Sequence, residues 1–162
     1  IEKLKLLVKN PNDPLRAVHQ LIEQNNELKK QVEQAQKEKA LQMTGTLLQK
    51  TSEINGIKFL AEILPMDAGT VKDMLFALKP MADNLFVVIG NETDGKAAIS
   101  VLVSEALCSS RGLHAGNIVR ELAKNIQGGG GGQPGFASAG GKDPSGLKKA
   151  LEQARYIAES TK

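Results

Sequence analysis

Apolar positions along this chain follow three patterns, and each predicts a different kind of element. The first is a long helical repeat. Asp13 and Pro14 read as an N-cap and a first helical residue, and from there to about Gln42 no further Pro and no Gly interrupts. Heptad spacing puts Val18, Asn25 and Val32 at one seam position and Leu21, Leu28 and Ala35 at the other, with Lys39 and Gln42 ending the pattern. An Asn at an inward position fixes register at a cost in stability. So narrow an apolar stripe does not hold a lone helix in water. It predicts either a coiled-coil-like pairing with a second copy through Val18, Leu21, Asn25, Leu28 and Val32, or an arm docked on another helix. Before it, Ile1 to Lys9 alternates apolar and basic residues and reads as a strand or a helix end.

The second pattern is one of short, dense apolar runs. Asn55-Gly56 signals a tight turn, Ile57 to Leu64 a strand, and Pro65 its end. Asp67 caps a helix expected to reach about Ala82, with Val71, Met74, Leu75 and Leu78 on one face and Pro80 near its close. Leu85-Phe86-Val87-Val88-Ile89 reads as a strand buried on both faces. After a turn at Asn91 to Gly95, Lys96 to Val103 returns as its antiparallel partner. A loop around Cys108 to Gly112 leads to a helix from about His114 to Ile126. A last helix opens at Asp143-Pro144, with Leu147, Ala150, Leu151, Ala154, Ile157 and Ala158 facing the core. The fold class is therefore α/β: a helical arm over residues 1–52, then a small mixed β-sheet covered by helices over 53–162.

The third pattern has almost no side chains. Nine of the sixteen glycines fall between Gly128 and Gly146, five of them consecutive. The run Gly128-Gly129-Gly130-Gly131-Gly132-Gln133-Pro134-Gly135-Phe136-Ala137-Ser138-Ala139-Gly140-Gly141-Lys142 carries a proline and an apolar Phe, which a slack tether does not need. It predicts a built loop over 128–141. It is not a P-loop, because the Gly-Lys-Ser/Thr ending is missing. It is not a dinucleotide fingerprint either, because it follows a helix and not a strand. Exposed glycine N–H groups can instead form an anion-binding surface.

Composition narrows the chemistry. With 3% aromatic residues and no Trp the core must be aliphatic, and the single Cys108 excludes an internal disulfide. No apolar run is long enough to span a bilayer, so no membrane partner is expected, and no signal-peptide layout is present. The start at Ile1 reads as a piece of a longer protein. His19 and His114 have no ligand spacing toward each other or Cys108, so no metal site and no Cys-His nucleophile is expected. Glu92 and Asp94 sit in a hairpin turn and read as solvated, not as an acid/base pair. The net charge of +3 is uneven: residues 111–149 hold six Lys/Arg against two Asp/Glu, whereas residues 50–110 hold five against eight. Basic residues Lys142, Lys148 and Lys149 beside the glycines predict contact with a phosphate backbone without base reading. Phe136, the one aromatic in the run, is expected to pack inward.

With those residues in view, Gly128 to Lys142 resembles the glycine-rich signature near the C-terminus of alanyl-tRNA synthetases, and the order of elements agrees along essentially the whole chain. The usual family form reads Gly-Gly-Gly-Arg-Pro-Asp-Met-Ala-Gln-Ala-Gly-Gly. Here Gln133, Gly135 and Phe136 stand where Arg, Asp and Met are common. Losing the Arg removes a bidentate phosphate partner. The resemblance implies a DHHA1-type C-terminal domain that binds the tRNA elbow, helps the aminoacylation and editing centres share one tRNA, and contributes to dimerisation. It implies a cytoplasmic, ATP-dependent ligase whose catalytic centres, with their ATP, magnesium and zinc, lie in other domains. No catalytic residue and no cofactor is expected in this chain. Charge and the resemblance together point to a tRNA contact over Gly128, Gly129, Gly130, Gly131, Gly132, Gln133, Arg111, Lys124, Lys142, Lys148 and Lys149. Two alternatives are a substrate-binding domain of a DHH-family nucleotide phosphodiesterase and a purely structural dimerisation module.

Overall fold

A computed structural model describes residues 13–162; Ile1 to Lys9, read from sequence as a strand or helix end, lies outside the described residues. The chain divides into two compact units, 1–38 and 39–162. In the first unit, helix α1 (Pro14–Gln49) begins where expected, with the Arg16 N–H donating to the Asp13 carboxylate at 3.0 Å. Among the described residues most of its seam is exposed, with Val18 half-buried. Leu21, Leu28 and Val32 are each more than half exposed, and Asn25 is exposed.

The helix does not stop near Gln42 but runs on to Gln49, through Thr44-Gly45-Thr46. Leu47 explains the extension: it is 1% exposed and packs with Leu60, Leu64 and Met74 in the globular core. Tertiary packing overrides the weak local propensity there. These last turns, and the short strand β1 (Ser52–Ile54), belong to the unit 39–162, whereas the sequence reading draws its boundary between 52 and 53.

The expected α/β arrangement is found. Strands β2 (Ile57–Ile63), β3 (Leu85–Thr93) and β4 (Lys96–Val103) form the middle of a six-stranded mixed sheet, ordered β1-β2-β3-β4-β6-β5. β2 and β3 run parallel, connected by helix α2 (Ala68–Leu78); every other pairing is antiparallel. Leu85 to Asn91 are all buried because both faces of the sheet are covered. Asn55 (φ 53°) with Gly56 (φ 78°), and Asp94 (φ 52°) with Gly95 (φ 71°), take the left-handed conformations that two-residue hairpin turns require.

One face of the sheet meets α2 and the end of α1. The other meets helices α4 (Ala115–Ala123) and α5 (Leu147–Ser160), where Val88, Ile99, Val101, Val119, Leu122 and Ala154 form the larger core. Ala150, Ala154 and Ala158 recur every four residues and are fully buried, so small side chains seat α5 close on the sheet. Two boundaries differ from the sequence reading. Helix α2 ends at Leu78 and tightens into a 3-10 turn at Lys79–Met81, since Pro80 has no N–H to continue it. The segment expected as a loop around Cys108 is a seven-residue helix, α3 (Glu105–Arg111), closed by Gly112 at φ 66°.

Candidate nucleic-acid interface

The glycine run is not a loop. It is two antiparallel strands, β5 (Gly128–Gly132) and β6 (Phe136–Gly141), with Gly128 opposite Gly141 and Gly132 opposite Ala137. β6 pairs in turn with β4, so the ribbon extends the sheet and β5 forms its edge. Glycine is required here by close approach. A Cβ on Gly128, Gly130 or Gly132 would collide with the backbone of β6, and one on Gly116 of α4 would stand 2.7 Å from the Gly132 carbonyl oxygen. On the alternate position Gly129, and on its register partner Gly140, a Cβ would meet nothing within 4 Å. Hydrogen bonds close the turn: Gln133 N–H to the Phe136 carbonyl at 2.9 Å, and Ala115 N–H to the Pro134 carbonyl at 2.8 Å.

The basic residues expected as one contact surface are divided between the two ends of the sheet. At the Gly128–Gly141 end, Asp143 N–H donates to the Ile126 carbonyl at 3.0 Å, and Asn125 Nδ2 donates to the Gln153 side chain at 2.7 Å. These bonds draw the segment carrying Lys124 against the one carrying Lys142, Lys148 and Lys149. All four lysines are exposed. Among the described residues the ion pairs are Lys50–Glu62, Lys79–Glu105 and Arg155–Glu159, so none of the four is neutralised by a salt bridge. Asp143 stands among them and opposes an anion. Its carboxylate is held below the ordinary range, first by the Ser145 hydroxyl, with the Ser145 N–H and the Gln127 amide adding to it.

Arg111 lies elsewhere. It follows β4 at the opposite end of the strands, and its guanidinium donates to the Asn55 carbonyl at 3.1 Å, which commits it to the β1–β2 turn. It does not join the lysines. Gln133 sits at that same end, exposed, at the tip of the ribbon. A residue absent from the sequence-based contact set is Arg120 of α4. Its guanidinium is exposed, bonded to Asn117 at 3.4 Å, and 3.6 Å from where a Cβ on Gly131 would stand. Its position beside the edge strand is a product of the α4–β5 packing and has no local sequence signal.

Phe136 is half-buried and packs inward, as expected, against the core cluster that holds Leu60, Met74 and Leu102. Its ring lies 5.1 Å from that of Phe76, at 45°, and Phe76 is 46% exposed. His19 is exposed. His114 occupies the N-cap position of α4 without a side-chain capping bond. Cys108 donates to the Pro134 carbonyl at 3.4 Å, and its thiol is raised above the ordinary range by burial and by the nearby Glu105 carboxylate. Among the described residues no cluster of three or more His, Cys, Asp or Glu could hold a metal ion, and no helix is long and apolar enough to cross a membrane.

Comparison with known proteins agrees with this architecture. The model of the DHHA1 domain matches residues 56–160, and the chain belongs to that domain family. Within it, the chain is similar to alanine–tRNA ligases: 46% identical over 154 residues to that of Christiangramia forsetii, covering 95% of this chain and 18% of the relative. It is 45% identical over 159 residues to that of Bacteroides fragilis, covering 98% and 18%. The chain thus spans less than a fifth of the length of these curated relatives. The crystal structure of the C-Ala domain from Aquifex aeolicus alanyl-tRNA synthetase superposes with a TM-score of 0.63 at 20% identity, covering 68% of this chain and 99% of that one. The expected resemblance, a DHHA1-type domain of the alanyl-tRNA synthetase kind, is therefore found.

Proposed function

We propose that this chain is the non-catalytic tRNA-binding module of an alanine–tRNA ligase. It holds the elbow of the tRNA by its phosphate backbone, so that aminoacylation and editing centres in other domains act on one bound molecule. Its partners are tRNA and those domains, its setting is the cytoplasm, and ATP, magnesium and zinc belong to the rest of the enzyme. The observation that carries the reading is the group of four exposed lysines, Lys124, Lys142, Lys148 and Lys149, with no salt bridge among the described residues, at one end of an all-glycine edge strand. Phosphate contacts of this kind give affinity without base reading.

A second reading, self-association through α1, is favoured by the exposed seam of Leu21, Leu28 and Val32, and is compatible with the first. Its test is the sedimentation mass after Leu21 and Leu28 are both changed to Lys; an unchanged mass discards it.

The test of the main reading is tRNA binding by this chain at about 50 and 200 mM salt, a range over which several phosphate contacts cost orders of magnitude in affinity. Binding that prefers tRNA to duplex DNA, with a salt slope reduced when Lys142, Lys148 and Lys149 become Glu, is the expected result. No tRNA binding at either salt concentration would overturn it.

A further inference from the structure

At the Gln133 end of the ribbon, far from the four lysines, a hollow of about 570 Å³ opens between α2, α3 and the β5–β6 turn. Phe76, Phe136, Lys72, Cys108 and Gln133 line it, and the Lys79–Glu105 ion pair (3.0 Å) forms its rim. A second hollow of about 290 Å³ continues from Phe76, Lys79 and Glu105 to Ser104. Ser104 is 4% exposed, and its hydroxyl has no hydrogen-bond partner among the described residues. This volume is in the range of sites that take small organic groups.

The walls carry an unusual combination for a protein with so few aromatics. Phe76 shows nearly half its surface to solvent while Phe136, against its ring, holds it in place. The Lys72 ammonium lies 5.9 Å from the centre of the Phe76 ring, and the exposed Gln133 side chain offers both a donor and an acceptor at the mouth. A flat ring to stack on, an ammonium for a phosphate and an amide for a polar edge together match one nucleotide. The five-residue strand β5, about 13 Å long, has this hollow at its Gln133 end and the lysine-bearing segments beyond its Gly128 end.

We propose that this hollow receives a single unstacked nucleotide of the bound tRNA, its base against Phe76 and its polar edge at Gln133. The proposal rests on the tRNA-binding reading above. It adds a stacking contact to an interface otherwise made of phosphate contacts.

Cys108, the single cysteine of the chain, lines the hollow and serves as a built-in footprint. Because burial and the Glu105 carboxylate disfavour the thiolate, alkylation is followed at one fixed alkaline pH with and without tRNA. The expected result is that saturating tRNA slows alkylation of Cys108 at least fivefold. Phe76→Ala, at a half-exposed position that tolerates truncation, should weaken tRNA binding about tenfold and abolish the protection. Phe76→Tyr should restore both. Because no charge is removed, the salt slope should stay as in the wild type. A wild-type chain that binds tRNA while Cys108 reacts at its free rate overturns this proposal alone, as does Phe76→Ala binding like wild type. A wild-type chain that binds no tRNA overturns both readings. Protection of Cys108 in the full-length ligase without tRNA would also overturn it, in favour of a protein segment as occupant.

Discussion

Two hairpins in the same sheet are held together by opposite means. In β3–β4, strand pairing is backed by side chains on both faces: Val87, Ile89 and Leu102 toward α2, and Phe86, Val88, Ile99, Val101 and Val103 toward α4 and α5. In β5–β6, the edge strand has no side chains, and pairing depends on their absence, since a Cβ at alternate positions would enter the neighbouring backbone. Both are antiparallel ladders. What differs is where the entropy of ordering is offset: by apolar burial in the first, and in the second by a helix and a strand that close on the glycines from either side. The second solution leaves a surface with nothing between its peptide groups and an approaching ligand.

Substitutions can break this contrast in order of expected size. Gly130→Val forces a branched side chain against the Ser138 and Ala139 backbone, which cannot yield without separating the strands. It should cost about 4 kcal/mol or prevent folding, read from the urea midpoint. A midpoint within about 0.5 kcal/mol of wild type would mean the ribbon is slack after all. Leu102→Ala, fully buried in the other hairpin, should cost about 3 kcal/mol, through lost burial and the cavity left behind.

Asp67→Ala removes the cap on α2, where the carboxylate accepts from the Thr70 N–H at 3.0 Å and from its hydroxyl, and should cost about 1 kcal/mol. The same hydrogen bonds, the Thr70 hydroxyl first, lower the folded carboxylate below its ordinary value. The stability they contribute is therefore present above the ordinary carboxylate range and lost as pH falls through the folded value. The difference between wild type and Asp67→Ala should shrink on acidification below about pH 4. The smallest effect sharpens the comparison most. Gly129→Ala, where a Cβ meets nothing, should be neutral or stabilise by about 0.5 kcal/mol by removing backbone freedom from the unfolded chain. Clear destabilisation there would show that every glycine of the run is structural, not only the alternate ones.

Much of this was legible because the relevant signals are local. The Asp13 and Asp67 caps, the Asn55-Gly56 and Asp94-Gly95 turns and the apolar run from Leu85 each report a backbone conformation or a burial state within a few residues of themselves. The same holds for the arm: heptad spacing marks its apolar stripe, although nothing local shows that α1 continues to Gln49. That extension comes from Leu47 finding a core made by Leu60, Leu64 and Met74. The candidate interface was legible in kind but not in layout. Charge counting identified Arg111 with the lysines, yet their grouping depends on which strand ends meet, and strand pairing puts Arg111 at the far end, bonded to Asn55.

Sequence alone determined that this chain is a helical arm joined to an α/β domain of the DHHA1 family, because hydrophobic period, capping residues and the glycine signature are properties of short segments. Only the tertiary structure decided that the glycine run is a sheet edge, that Arg120 stands beside it, and that Phe76 and Phe136 meet across sixty residues of chain to open a hollow. The physical reason is that glycine carries no side chain by which to announce its neighbours. What surrounds it is set by the strands and helices that can approach because nothing is there.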